Sequence, residues 1–231
     1  MDEERGSDSS LYPWEYLFDE KFSSHCGYVT SSLKLNELLE EYEYATSSRF
    51  RCLKSEKQFG KIFEISKVSD PQVRLWDTQG NADPYIRYDG IPFIIMGKKV
   101  LECHQGFDRD TKTNQRKKRR LPASDHIFKH KRRLVQNTKK KGCPVRIKIR
   151  HVVKFLNFKV KDQDQPSRKF VPSVKKDLND GTGEIECQPR FYVSFPPAEE
   201  HRNHLKGAAS SILQPMDKRI SNYIKKVVSE H

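Results

Sequence analysis

The chain has 231 residues and a formal net charge of +13, with 35% hydrophobic and 32% charged residues. So little apolar matter beside so much charge argues against one large core and for a modest one interrupted by long solvated insertions. No apolar run approaches the roughly 20 residues that span a bilayer, and the N-terminal stretch lacks a basic segment followed by an apolar one, so the sequence reads as soluble, intracellular and without a membrane partner.

The positive charge is local. Residues 98–150 hold 19 Lys or Arg against 4 Asp or Glu, leaving 25 against 27 elsewhere. Such concentration is the usual electrostatic footprint of a nucleic-acid binder, with an anionic membrane surface as the second possibility. Five cysteines (Cys26, Cys52, Cys103, Cys143, Cys187) without a secretory signal point to reduced thiols or metal ligands rather than a disulfide framework.

Taken in chain order, residues 1–10 are acidic and small, and 1–30 are expected to be disordered or loosely packed. Leu35, Leu38, Leu39 and Tyr42 recur at helical spacing behind Ser31, Ser32 or Asn36 as caps, which predicts a helix over roughly 33–46. Short strands are expected at Phe50 to Leu53 and Lys61 to Ser66, giving an α+β subdomain over 31–84.

A β-sheet domain is expected over 85–206. It opens with a hairpin: Pro92 to Met96 is apolar, Gly97 and Lys98 supply a two-residue turn, and Lys99 to Cys103 returns. A basic insertion follows, 107–142, with clusters Arg116, Lys117, Lys118, Arg119, Arg120 and Lys129, Lys131, Arg132, Arg133. It lacks apolar periodicity and reads as solvated: either a bipartite nuclear localisation signal, taken by an import receptor, or a phosphate-binding arm.

From Cys143 to Phe155 the alternation of Val145, Ile147 and Ile149 with Arg146, Lys148 and Arg150 predicts a strand with one apolar and one cationic face. A polar insertion over 161–188 reads as a loop, and Arg190 to Phe195 alternates again as a last strand. Residues 207–231 carry Met216, Ile220, Ile224 and Val227 at helical spacing after Pro215, which predicts a C-terminal helix. The expected fold is thus α+β: a small antiparallel sheet of about four strands, flanking helices, and long disordered basic and polar insertions.

Following strand directions, Cys103 ends one strand, Cys143 begins the next, and the last strand delivers His201 and His204 to the same end of the sheet. Two thiolates and two imidazoles make a tetrahedral structural zinc site, which would tie together ends that long loops leave unrestrained. The spacing Cys-x39-Cys-x57-His-x2-His is far from that of compact zinc fingers. The plain alternative is that Cys103 and Cys143 are ordinary buried thiols and the histidines sit on a surface loop; His104, a substitute ligand beside Cys103, is the weaker candidate because strand neighbours point to opposite faces.

The order ECHQG (Glu102 to Gly106), basic connection, KKKGCPVRI (Lys139 to Ile147) and EEHRNH (Glu199 to His204) resembles the zinc-binding domain shared by far-red-impaired-response proteins, Mutator-like transposases, WRKY and glial-cells-missing factors. Within that group the N-terminal part and the tail LQPMDKRISNYIKKVV (Leu213 to Val228) look most like the calcium-responsive transcription factor family. The resemblance implies a nuclear, sequence-specific binder of double-stranded DNA with a Cys-Cys-His-His zinc site and no enzyme activity. It also implies that Gly97, Lys98 and Lys99, at the turn before the first cysteine, enter the major groove. Their alternative is a generic turn with solvated lysines.

Arg146, Lys148 and Arg150 are expected to contact phosphates, or else to form a solvated sheet face. Asp89, Glu102, Asp108 and Asp110 lie near the cationic region but form no convincing metal-binding carboxylate pair, so no catalytic residue is assigned. Tyr85, Tyr88, Phe93, Phe191 and Tyr192 could stack on bases, though core positions in a sheet are the simpler reading. A transposon-derived DNA-binding fragment, or an interaction module without sequence specificity, is the alternative function.

Overall fold

In the computed structural model, which describes residues 12–64, 72–77, 83–109, 140–160, 169–180 and 185–204, six antiparallel strands form one sheet. Its elements are β1 (Glu20–Ser23), β2 (Cys26–Val29), α1 (Ser32–Ala45), β3 (Phe50–Ser55), β4 (Phe93–Cys103), β5 (Arg146–Phe155), α2 (Phe170–Asp180) and β6 (Cys187–Ser194). The spatial order is β1-β2-β6-β5-β4-β3.

The first helix forms where the apolar period places it. The Ser31 hydroxyl caps it by accepting from the backbone N–H groups of Leu33 and Lys34, at 3.1 and 3.4 Å. Leu35, Leu38 and Tyr42 then point one stripe into the sheet, where they meet Trp14, Phe18, Val29, Leu101, Ile147, Ile149, Phe191, Val193 and Phe195. Tyr42 is fully buried; its ring stacks on Phe195 at 4.1 Å and its hydroxyl donates to the carbonyl of Pro196 at 2.7 Å.

One face of β5 serves two helices. Ile147 and Ile149 lie under α1, while Val153 and Phe155 lie under α2 through Val174 and Leu178. His151 sits between them, 2% exposed and stacked on Phe191 at 4.3 Å. The opposite face is covered at its far end by a segment carrying Ile86, which packs with Tyr28, Phe93, Val152 and Tyr192.

Several expectations are corrected. There is no hairpin turn at Gly97-Lys98: β4 is one strand of 11 residues, paired with β5 from Phe93–Lys154 to Glu102–Arg146. Gly97 serves a close crossing instead, since a Cβ there would lie 3.2 Å from both the Cβ of Glu56 and the amide nitrogen of Phe59. A bulge between Ile95 and Gly97 absorbs the irregularity.

The sheet has six strands rather than about four, because β1 and β2 extend one edge and β3 the other. Residues 12–30 therefore belong to the packed structure, with Trp14 3% exposed, and they are not loose. Because β3 pairs with β4 and β2 with β6, the parts expected as separate subdomains share one sheet. The segment Lys61 to Glu64 is not a strand.

The polar insertion contains α2, whose Phe170, Val171, Val174 and Leu178 line one face and whose Pro172 falls in the first turn, where proline is tolerated. The greater part of the basic insertion (110–139), including both basic clusters, lies outside the described residues. So do 205–231 with the expected C-terminal helix.

Candidate metal centre

Antiparallel pairing of β4 and β5 brings the end of one beside the approach to the other. The Cys103 amide donates to the carbonyl of Val145 at 3.1 Å, and the Cys143 amide donates to the carbonyl of Gln105 at the same distance. Gly142, at φ +77°, turns the chain into this position, which a side chain would disfavour. Beyond β6, Pro196 and Pro197 end the strand, and a 3-10 turn, Ala198–Glu200, directs His201 back over the sheet end against the edge of Phe50. Asn203, at φ +68°, then reverses the chain so that His204 faces the same point.

One donor atom from each of Cys103, Cys143, His201 and His204 lies within 4.8 Å of every other. Cys143 Sγ is 3.6 Å from His201 Nδ1, Cys103 Sγ is 3.6 Å from His204 Nε2, and the two ring nitrogens are 3.2 Å apart. Tetrahedral zinc with bonds of about 2.3 Å to sulfur and about 2.0–2.1 Å to nitrogen sets S···N near 3.6 Å and N···N near 3.3 Å. These three separations match edges of a zinc tetrahedron, and the donor set fits that metal. Both thiols and His201 are buried and His204 is half-buried, as suits a closed structural site. Burial, reinforced by the neighbouring Cys143, pushes the Cys103 thiol up to about 12, so a metal would have to displace its proton. His104 is not part of the group.

The expected nucleic-acid contacts are divided by the structure. Cross-strand partners share a face, which groups Arg51, Glu102 and Arg146 in one row and Lys54, Val100 and Lys148 in the next, with Lys98 beside Arg150. Arg51, Lys54, Lys98, Arg146 and Lys148 are exposed there. Lys99 points to the other face, its ammonium 5.6 Å from the centre of the Phe59 ring.

Arg150 is 2% exposed and cannot contact a ligand. Its guanidinium donates to both carboxylate oxygens of Asp77, at 2.5 and 3.0 Å, and to the carbonyl of Pro84 at 3.0 Å. The cationic face of β5 is thus open only at Arg146 and Lys148.

The carboxylates near this region hold cations. Glu102, 2% exposed, accepts from Arg51 at 2.6 and 2.8 Å and from Arg109 at 2.8 Å. Asp89 accepts from Lys154 and Arg190, at 2.5 and 2.9 Å. Apart from Glu102–Arg109, seven residues apart, these partnerships join residues distant in the chain and have no local sequence signal.

The fold and site together define an α+β module with four candidate metal ligands gathered at one end of an antiparallel sheet. A family model, amyotrophic lateral sclerosis 2 chromosomal region candidate gene 8, matches residues 66–231, and the chain belongs to that family. It is similar to proteins named calcium-responsive transcription factor: 27% identical over 192 residues to the one from Mus musculus, 28% to that from Bos taurus and 29% to that from Homo sapiens. Each match covers 78% of this chain but only 24%, 23% and 22% of the respective relative, so the chain spans less than a quarter of their length. No solved structure matches.

Proposed function

We propose that the chain is a nuclear, sequence-specific binder of double-stranded DNA that acts in transcription regulation and performs no catalysis. The observation that carries this reading is a juxtaposition. The four converging ligands stand at the end of strands β4 and β5, and beside them one sheet face presents Arg51, Lys54, Lys98, Arg146 and Lys148 to solvent. The names of the relatives agree with it, as does the resemblance to WRKY and glial-cells-missing factors.

Zinc, when bound, supplies a structural cross-link and leaves no ligand position for chemistry. The rest falls to the chain's own residues. Arg51 is held in place by buried Glu102, so its guanidinium is oriented before any phosphate arrives. Arg146 and Lys148, two residues apart on a rigid strand, and Lys98 beside them are placed to contact phosphates and base edges. In this reading Lys98, Arg146 and Lys148 make the contacts, while Gly97, Lys99 and Arg150 serve the fold. Arg116 to Arg120 and Lys129 to Arg133 would add salt-sensitive affinity or engage an import receptor.

The test is a selection from random duplexes followed by salt titration. Preference for one duplex over others at physiological salt, weakened by Arg146→Glu with Lys148→Glu, is expected. Equal affinity for every duplex and for RNA would favour instead an interaction module without sequence specificity.

A further inference from the structure

Residues 72–77 run from the edge of β4, where Arg74 bridges Phe93 and Val73 joins the α2 cluster, to the second sheet face at Asp77, and with 83–88 they alternate like strands. Val73, Leu75, Asp77, Pro84 and Ile86 are buried, while Trp76, Tyr85 and Tyr88 are exposed by 53%, 43% and 46%. Trp76 and Tyr88 stack with centroids 5.6 Å apart and planes within 12°. Large rings that the core does not need, standing together in solvent, mark a contact surface.

Its position follows from Arg150, which holds Asp77 and the carbonyl of Pro84. Trp76 and Tyr85 are the chain neighbours of those two anchors, and Tyr88 precedes Asp89, which accepts from Lys154 and Arg190, so the rings lie along β5 between Arg150 and Lys154, with Lys148 two residues beyond Arg150 on the same strand face. The Lys148–Asp83 pair, at 2.7 Å and about half exposed on both sides, joins the cationic strands to the aromatic segment. Exposed pairs of this kind are weak enough for a phosphate to replace the carboxylate.

Charge selects the occupant. Asp77 and Asp89 are turned inward onto Arg150, Lys154 and Arg190. The outward charges of the described segment are Arg74, Arg87 and the Asp83 already paired with Lys148. Rings flanked by cations suit a nucleobase and its phosphates, because every base offers a π-face.

We propose that Trp76 and Tyr88, with Tyr85 beside them, form a stacking surface for an unpaired nucleobase at the border of the cationic strands. This rests on reading those strands as DNA-binding. Two arms keep the two ideas separate.

The chain has two tryptophans, and Trp14 is 3% exposed, so a bound base that changes the fluorescence acts on Trp76. The probes are a blunt duplex and the same duplex with a single-stranded thymidine tail. Binding of the tailed duplex should quench the emission, and it should be between about fivefold and about a hundredfold tighter than that of the blunt duplex. Trp76→Ala and Tyr88→Ala should each reduce that advantage while leaving blunt-duplex affinity unchanged. Tailed and blunt duplexes binding alike, with unaltered emission at saturation, would overturn the stacking surface and leave it to a protein partner. Failure of both duplexes to bind would overturn the cationic-face reading as well. The quenching arm uses the unsubstituted protein and does not depend on any variant folding.

Discussion

Lys148 and Arg150 lie two residues apart on one strand face, yet the first meets solvent and the second is sealed beneath Asp77 and Pro84. Removing one partner of a buried, bidentate pair strands the other charge, so Arg150→Ala should lower unfolding stability by about 3–5 kcal/mol in denaturant titration. Lys148→Ala should stay within about 0.5 kcal/mol. Equal effects would contradict the assignment of one to structure and the other to contact. Alternation along β5 put both residues on the polar side, but the partner of Arg150 lies 73 positions away and nothing local announces it.

His151 gives a second residue-scale expectation. Burial pushes its imidazole down from 6.5 to about 4, and its Nδ1 accepts from the Gly60 amide at 3.2 Å, which requires the neutral ring. The unfolded chain therefore binds a proton that the folded chain refuses. The contribution is intact above about pH 6.5 and is lost progressively as pH falls towards 4. His151→Phe, which keeps the stack on Phe191, should flatten that part of the stability profile. An unchanged profile would refute the role.

At the scale of elements, α1 was legible and α2 was not. In α1 the cap, the apolar period and the length agree. In α2, four apolar residues are interrupted by Pro172 and embedded in a polar stretch, so the local pattern is outvoted by its surroundings. Leu178 is 1% exposed against β5, and Leu178→Ala should cost about 2–5 kcal/mol if that packing is present. A neutral effect would remove α2 from the core.

The hairpin expectation failed for a related reason. Gly-Lys is good turn chemistry, but glycine equally permits a close crossing, and only the turn over residues 56–59 distinguishes the two. Gly97→Ala should destabilise by about 1–3 kcal/mol, since the new methyl meets backbone at 3.2 Å that cannot simply rotate away. Thermal unfolding of the variant checks this.

For the whole molecule, the meeting of Cys103, Cys143, His201 and His204 was readable because antiparallel strand directions determine which ends come together. Distances between their atoms needed the fold. The long connection 104–142 gives β4 and β5 little local reason to stay together at that end, and a shared metal would close it. Because the Cys103 thiol is held high, zinc binding should release its proton, and apparent affinity should fall as pH is lowered, measurable by competition with a chelator.

The most direct measurement is metal analysis of the purified 231-residue protein together with Cys103→Ser and Cys143→Ser. One zinc per chain, lost in both variants along with sequence-selective duplex binding, is the result predicted. A metal-free protein that folds and selects its duplex equally well would contradict the account.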